Sequence, residues 1–339
     1  MGEAEAGRGR NRLRQINRAA TGMCDMVAML DSAPVPCRFR ADAISASRMS
    51  VTHSGERQMF DERNVAVSYK SILVSIDIDD PSTALIKLAA DLARRFDARL
   101  IGCSSADLVP PMVTIEGMVV DTGMIERQRL DIEARLAQSE TKFTELSGPG
   151  LALEWRSDLT APSRMAIRLA RMADLVVTGS PEGAKASDAF RALDLGDLLM
   201  HAGRPVLIAA ANAEHLLARK ALVAWKDTSE ARRAVADAVP LLVDADEVVV
   251  ATVAMDASVS EHQSLADVTA YLKQHGVKAR SEILVEKHDT AALVEFAATM
   301  HADLVVAGAY GHSRLRELIF GGVTRSLFDE TGLNRLMSA

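Results

Sequence analysis

The sequence predicts an α/β protein in which one unit, a mostly parallel five-stranded sheet with helices on both faces, occurs twice in tandem. Three observations support this prediction. Short β-branched runs alternate with amphipathic stretches from Tyr69 onward, the same order returns after residue 219, and one seven-residue segment is nearly repeated. Alternating strands and helices imply parallel strands, because each helix returns the chain to the same edge of the sheet.

Each copy shows the same succession of elements. In the first copy the pattern predicts strands over 72–76, 99–103, 151–155, 175–178 and 205–209, with helices over 81–96, 123–146 and 162–172. In the second copy it predicts strands over 221–225, 247–253, 281–285 and 304–307, with a helix over 229–242. These elements place the first domain at residues 65–212 and the second at residues 218–339. The two domains are called the first half and the second half below.

The repeated segment is the clearest sign of duplication. Residues 173–179 (ADLVVTG) and 302–308 (ADLVVAG) are identical at six of seven positions. The two copies are 129 residues apart there but about 149 apart at their first strands. The first half therefore carries some twenty extra residues, which we expect in the loop around 104–125.

Residues 1–64 differ from the rest of the chain. They contain ten arginines, no lysine and eight acids, for a net charge of 10 − 8 = +2, and they show no sustained helical or strand period. We expect a disordered arginine-rich tail, or sequence upstream of the mature protein. A functional basic arm is the alternative.

Composition excludes several classes of protein. The chain has 339 residues, a formal charge of −7, a pI near 5.7 and 4% aromatic residues, which disfavours nucleic-acid binding. No apolar run reaches about 18 residues, so no membrane span is expected. Cys24, Cys37 and Cys103 are too far apart for a disulfide framework or a zinc site and fit a reducing, cytoplasmic compartment. The histidines lack ligand spacing, so no metal site is predicted.

A glycine loop follows the fourth strand of the second half. Its spacing is G-x2-G-x9-G with a second glycine and a threonine after it, and it consists of Gly308, Gly311, Gly321, Gly322 and Thr324. Glycines allow a close backbone approach to an anion, and a following helix N-terminus offers free amides to a phosphate.

Together with the repeated segment and the RPVL run at 204–207, this loop resembles the universal stress protein (UspA-like) family in its tandem form. The resemblance covers about 69–339. It implies a doubly wound, Rossmann-like fold that dimerises through its last strand, here within one chain or as a homodimer. Some family members bind ATP, with the loop on the phosphates and an acid at the end of the first strand on the nucleoside.

Carried over to this sequence, the resemblance implies a nucleotide site in the second half. Its phosphate-binding residues would be Gly308, Gly311, Gly321, Gly322 and Thr324, with a backbone amide from Val323. Ala224 and Lys226 would stand at the end of its first strand, with Lys226 in place of the usual acid. Lys226 would pair with a phosphate or block the pocket, and Asp227 would replace the acid only if the turn shifts by one residue.

The first half retains the acid that the family has at the end of its first strand, but not the glycine loop. Asp77 ends its first strand where the acid belongs, but the loop after Gly179 has lost both glycine spacings. Pro181 removes an amide donor, and Glu182 would repel a phosphate. We therefore expect only a vestigial site, formed by Asp77 and Gly179, that does not bind a triphosphate.

Structural alternatives exist for most of these residues. The loop glycines could be retained for their geometry alone, and Thr324 could be a helix N-cap. Asp77 is interpreted first as a cap for the turn that follows it, Trp225 as a packing residue and Cys103 as a small buried hydrophobe.

The resulting hypothesis is a cytoplasmic tandem stress protein that binds ATP, with Mg²⁺, through its second half and has a regulatory or protective role. The alternative is a protein-interaction or scaffold module that binds no nucleotide. An ATP-hydrolysing enzyme is disfavoured, because Glu317 is the only carboxylate near the loop that could help hold Mg²⁺. Adenine nucleotide and protein partners are expected, without nucleic acid or membrane. The last strand, around 332–337, lacks a long apolar run, so weak pairing is expected there.

Overall fold

A computed structural model describes residues 68–109, 122–180, 190–255, 258–285, 289–309 and 332–339. All of these residues belong to a single compact unit. The expectations for residues 1–64 fall outside the described residues.

The described residues form ten strands and seven helices. The elements that the sequence predicts are all present, and the helix over Leu195–His201 is an addition to them. The strands are β1 (Ser71–Ser75), β2 (Arg99–Ala106), β3 (Leu153–Leu159), β4 (Leu175–Gly179), β5 (Val206–Ala209), β6 (Lys220–Ala224), β7 (Glu247–Ala254), β8 (Ala279–Val285), β9 (Leu304–Gly308) and β10 (Asn334–Ser338). The helices are α1 (Thr83–Phe96), α2 (Thr122–Ser147), α3 (Pro162–Ala170), α4 (Leu195–His201), α5 (Ser229–Leu242), α6 (Val259–Gln274) and α7 (Asp289–Thr299).

All ten strands belong to one sheet. Their order is β3-β2-β1-β4-β5-β10-β9-β6-β7-β8, so the second half repeats the first in mirrored order. Neighbouring strands are parallel throughout except for β5 and β10, which pair antiparallel at the centre. The predicted fold class, two doubly wound α/β domains in tandem, is confirmed.

The expectation of a poorly specified last strand is wrong. β10 has all five residues buried and is hydrogen-bonded on both sides, parallel to β9 and antiparallel to β5. Polar side chains help to fix it, since Asn334 accepts a hydrogen bond from the Ala210 amide and donates one to the Asp303 carbonyl. A short strand needs no long apolar run when it is inserted between two others.

The aspartate of the repeated segment has the same structural role in both halves. The Asp174 carboxylate accepts the amides of Lys70 and Ser71, at the start of β1. Asp303 accepts the amides of Arg219 and Lys220, at the start of β6. Each aspartate therefore ties the fourth strand of its half to the first.

The extra length of the first half lies only partly in a loop. Fifteen residues separate β2 from α2, against four between β7 and α6. The helix itself is also longer, because α2 has 26 residues and α6 has 16. About half of the extra residues thus lie in the loop where the sequence predicts them, and the rest extend the helix.

The two halves share their hydrophobic core on both faces of the sheet. One face packs α1 with α5 and α6, and the other packs α3 and α4 with α7. The linker between the halves, residues 210–219 between β5 and β6, lies along α1. There Glu214 pairs with Lys87 at 2.8 Å, and Arg95 donates to the carbonyl oxygens of Leu216 and Leu217. The halves are thus joined by packing as well as by the sheet.

Because β10 stands at the centre of this core, we expect Leu336→Ala to lower the free energy of unfolding by roughly 2–5 kcal/mol. Leu336 is fully buried, whereas Leu217 is 56% exposed and provides a matched control. Leu217→Ala should change stability by less than about 0.5 kcal/mol. Denaturant unfolding of the full chain measures both. Equal effects of the two substitutions would contradict a central, packed β10.

Candidate functional site

The sheet changes winding direction once in each half. β1 lies between β2 and β4, and β6 lies between β7 and β9. In open parallel sheets, ligands bind beyond the carboxyl ends of the strands at such a switch point. Each half therefore contains one candidate crevice.

The crevice of the first half is an open cleft of about 990 Å³, a volume that would accommodate a nucleotide-sized ligand. It lies at the carboxyl ends of β1 and β4 and extends to the start of the linker. Its lining includes Asp77, Thr178, Gly179, Ser180, Arg191 and Asn212. The structure thus brings together the two vestigial-site residues, Asp77 and Gly179.

Asp77 caps the turn after β1, as interpreted from the sequence. Its Oδ1 accepts the amides of Asp79 at 2.7 Å and Asp80 at 3.2 Å. The residue is nevertheless exposed, and it lines the cleft. The turn therefore holds a carboxylate at the position where the resemblance places the acid.

An ion-pair network stands at the mouth of this cleft. Arg191 binds Asp79 through two hydrogen bonds, of 2.8 Å from Nε and 2.7 Å from Nη2. Arg135 of α2 also donates to Asp79, at 3.0 Å, and is itself held by Asp131. The network ties the β1–α1 turn to α2 and to the segment before α4.

Cys103 lies on β2 beside Ser75 of β1. It is 2% exposed, which confirms the interpretation of a buried residue. Burial raises the pKa of the Cys103 thiol to about 12, although a hydrogen bond with Ser75 acts in the opposite direction. This thiol is therefore not a nucleophile at neutral pH.

α5, the first helix of the second half, packs closer to the crevice of its half than α1 does in the first half. α5 packs mainly on β9 and β10, whereas α1 in the first half packs on β1, β2 and β4. A Cβ added to Gly308 would lie 2.6 Å from the Ala231 nitrogen, but one added to Gly179 would meet only Leu85, at 3.9 Å. Gly308 is thus required for a close contact between strand and helix.

The residues at and after the end of β6 differ in burial and in their partners. Trp225 is 8% exposed and donates from Nε1 to Ser264 at 2.9 Å, which confirms the packing role. Ala224 is half-buried at the end of β6, and Lys226 is exposed. Asp227 precedes α5, and its carboxylate accepts hydrogen bonds from Arg232 of that helix.

The first turn of α5 carries its own carboxylate. Burial acts to raise the pKa of Glu230, but hydrogen bonds from its own backbone and from Ser229 and Thr228 outweigh it and lower the pKa. Glu230 is therefore ionised at neutral pH and stabilises the positive end of the helix dipole.

The other proposed loop residues, Gly311, Gly321, Gly322, Val323 and Thr324, lie outside the described residues. Sequence reasoning missed two features of the first half, Arg191 and the contribution of the linker to the cleft. Neither has a sequence signal, because Arg191 belongs to no motif and the linker was assigned only as a connection.

The described residues contain neither a metal-binding cluster nor a membrane-spanning helix. No group of three or more His, Cys, Asp or Glu side chains is placed to hold a metal ion there. No helix in the described ranges is long and apolar enough to cross a membrane.

Comparison with known proteins agrees with this architecture. The model of the universal stress protein family matches residues 68–209 and 218–331. A universal stress protein from Archaeoglobus fulgidus DSM 4304 has 16% identity and a TM-score of 0.60, over 79% of this chain and 95% of that one. A putative universal stress protein from Pseudomonas aeruginosa UCBPP-PA14 has 16% identity and a TM-score of 0.50, over 79% of this chain and 92% of that one.

A smaller similarity, with a TM-score of 0.30, is to a universal stress protein solved in complex with cAMP, which is 19% identical over 42% of this chain and 97% of that one. The comparison with curated proteins found no significant match. The sheet and its two crevices define a tandem, doubly wound α/β protein. The chain belongs to the universal stress protein family.

The Cys103 environment predicts an unreactive thiol. In a Cys24→Ser/Cys37→Ser protein, we expect no reaction with Ellman's reagent at pH 8 while the chain is folded, because burial keeps the thiol protonated and inaccessible. One thiol per chain should react after denaturation in guanidinium. Rapid labelling of the folded protein would contradict this assignment.

The two strand-end glycines should respond differently to the same substitution. We expect Gly308→Ala to destabilise the protein by about 1–3 kcal/mol, because the new methyl group meets the α5 backbone. Gly179→Ala is the matched control and should change stability by less than about 0.5 kcal/mol, since its surroundings are open. Thermal and denaturant unfolding measure both. A neutral Gly308→Ala would show that α5 lies farther from β9.

Proposed function

We propose that this universal stress protein binds an adenine nucleotide, ATP with Mg²⁺, through its second half and acts in the cytoplasm in a regulatory or protective stress role. The observation that carries this proposal is the position of Gly308, the first glycine of the loop. It ends β9 at the switch point beside β6 and against the first turn of α5. The glycine loop therefore begins at the carboxyl edge where such sheets bind ligands.

Lys226 supports the proposal from the other side of the same crevice. It stands two residues beyond the end of β6 and is exposed, so its ammonium group is accessible to a ligand. A cation in place of the usual acid is suited to a phosphate rather than to ribose hydroxyls. We therefore assign Lys226 to the phosphates, together with Gly308, Gly311, Gly321, Gly322, Thr324 and the amide of Val323, with Ala224 beside the nucleoside.

The proposed role is binding without catalysis. Nucleotide occupancy would favour one conformation or one set of protein partners, to the extent that the ligand binds the two states with different affinities.

The alternative function, a protein-interaction module that binds no nucleotide, is favoured by a specific observation. The close packing of α5 explains the glycine at position 308 without a ligand, because a side chain there would meet Ala231. Glu230 already provides an anion at the start of α5, where a phosphate would otherwise bind. In this alternative the glycine loop after β9 serves only to let the chain turn, without contact to a ligand.

Titration calorimetry of the full chain with Mg²⁺–ATP distinguishes the two functions. We expect a dissociation constant in the micromolar range, abolished by Gly311→Val and by Gly322→Val, because a side chain on the loop blocks the approach of the phosphates. Met200→Val, at a residue of α4 that is 52% exposed, is the control and should leave binding unchanged. Circular dichroism verifies that each variant is folded.

Lys226 is tested in the same titrations. Lys226→Glu should weaken ATP binding at least tenfold through repulsion of the phosphates, and Lys226→Arg should retain binding. The wild-type protein must first be heat-denatured in a test sample and analysed for nucleotide retained through purification. No retained nucleotide and no binding heat at millimolar ATP would refute the proposal and favour the protein-interaction module.

A further inference from the structure

We propose that the two outer strands of the sheet, β3 and β8, form a contact between copies of this chain. β3 of one copy pairs antiparallel with β8 of the next, so that the ten-stranded sheet continues from copy to copy. The partner is thus a second copy of this chain, bound head to tail. The contact is separate from the central β5–β10 pairing and does not depend on nucleotide binding in the second half.

The first argument is that both strands present backbone groups at the edge of the sheet. Among the described residues, β3 pairs only with β2 and β8 only with β7. Leu100 of β2 donates to the Ala152 carbonyl, and Val248 of β7 donates to the Lys278 carbonyl. In parallel pairing, the groups that face the neighbouring strand alternate along the chain with groups that face away. The residues that face away are Leu153, Trp155 and Ser157 of β3 and Ser281, Ile283 and Val285 of β8.

The second argument is that the two edges carry opposite charges at equivalent positions. The positions are the first residue of β2 or β7, and the second and fourth residues of β3 or β8. They hold Arg99, Glu154 and Arg156 in the first half, and Glu247, Arg280 and Glu282 in the second. In each half the second residue of the outer strand binds the other two, at 2.8–2.9 Å in the first half and 2.9–3.0 Å in the second. The edges are therefore complementary in charge.

The third argument is the register that joins the strands over their full length, since each has seven residues. In that antiparallel register Arg156 lies opposite Glu282. Two residues farther along, Asp158 lies opposite Arg280. The four side chains are 44–53% exposed, and their present ion pairs are weakened by solvent, so they can be shared with a neighbouring strand.

The same register matches the backbone groups. The outward-facing residues form three pairs, which are Leu153 with Val285, Trp155 with Ile283 and Ser157 with Ser281. Each such pair exchanges two backbone hydrogen bonds. The charged pairs then occupy the alternate positions, where side chains on opposite strands approach most closely. The amides of Leu159 and Ala279 are already donated within their own halves, so we expect no further pair there.

The fourth argument is that the faces of the two sheets match. Trp155 and Ile283, which are opposite each other in this register, both pack on the core face that includes α1 and α5. At the end of β8, Val285 is 60% exposed. Pairing covers Val285 with Leu153 of the neighbouring copy and thereby removes apolar surface from water.

The charges also determine which strands can pair. Charged side chains on edge strands usually oppose pairing between copies. Two β3 strands aligned over their full length would place Arg156 opposite itself, and two β8 strands would place Glu282 opposite itself. Like charges directly opposite each other are destabilising, so β3 pairs with β8 rather than with another β3. A contact between two unlike surfaces lets copies add one after another.

Sedimentation velocity of the full chain over a range of concentrations tests this contact. We expect the sedimentation coefficient to rise with concentration, with a dissociation constant of roughly 10–100 µM, because the paired strands are short and the contact is small. Raising the salt concentration to about 0.5 M should weaken the association, because it screens the ion pairs.

Charge reversal identifies the strands. Arg156→Glu and Glu282→Arg should each weaken association at least tenfold, because like charges then lie opposite each other, and the double variant should restore it. An equal mixture of the two single variants should also associate, since each provides the charge that the other lacks. Arg129→Glu and Glu133→Arg are the matched controls. They form an exposed ion pair on α2, with side chains 52% and 44% exposed, and should leave association unchanged.

Several outcomes would overturn the proposal. These are a wild-type chain that remains monomeric throughout, association that persists in either single variant, and a double variant without rescue. An assembly that ends at a dimer of chains would also overturn it, because that indicates a contact between like surfaces. Circular dichroism verifies that each variant is folded. If a charge variant does not fold, Ser281→Pro provides the test. It removes an amide that faces away from the sheet, and should abolish association without loss of a hydrogen bond within the chain.

Discussion

The antiparallel pairing of β5 with β10 is the interaction on which the rest of the structure depends. It joins two five-stranded sheets into one and gives both halves a common core on each face. β10 is paired on both sides, so no unpaired strand edge remains at the centre of the sheet. Arg335 extends this connection, because its fully buried side chain crosses from β10 to donate a hydrogen bond to Ser180, at the edge of the first cleft.

The mirrored sheet carries two crevices that are not equivalent. In the first half α1 leaves the end of β4 open, and the cleft extends to Asn212 in the linker. In the second half α5 lies against β9 so closely that only glycine fits at position 308. The same strand order thus supports an open, charge-lined cleft in one half and a narrow strand-to-helix contact in the other.

The linker gives the first cleft a direct connection to the second half. The cleft lining includes Ala209, Ala210, Ala211, Asn212 and Glu214, and the chain then continues towards β6. Ala210 is hydrogen-bonded to Asn334 of β10. A ligand in the first cleft would contact the segment that joins the halves. The first cleft and β10 are therefore connected through hydrogen-bonded residues of the linker.

The sequence by itself determined the α/β class, the duplication and the order of the elements, because strand and helix periods and the repeated segment are local patterns. It also placed Asp77 just after the first strand and Gly308 at the end of the ninth. It did not reveal how firmly β10 is paired, since the stability of that strand comes from the neighbours on both sides and not from a long apolar run of its own. Only the tertiary structure placed Arg191 and the linker at the first cleft and α5 against Gly308, because these contacts join residues far apart in the chain and depend on how each helix packs on the sheet.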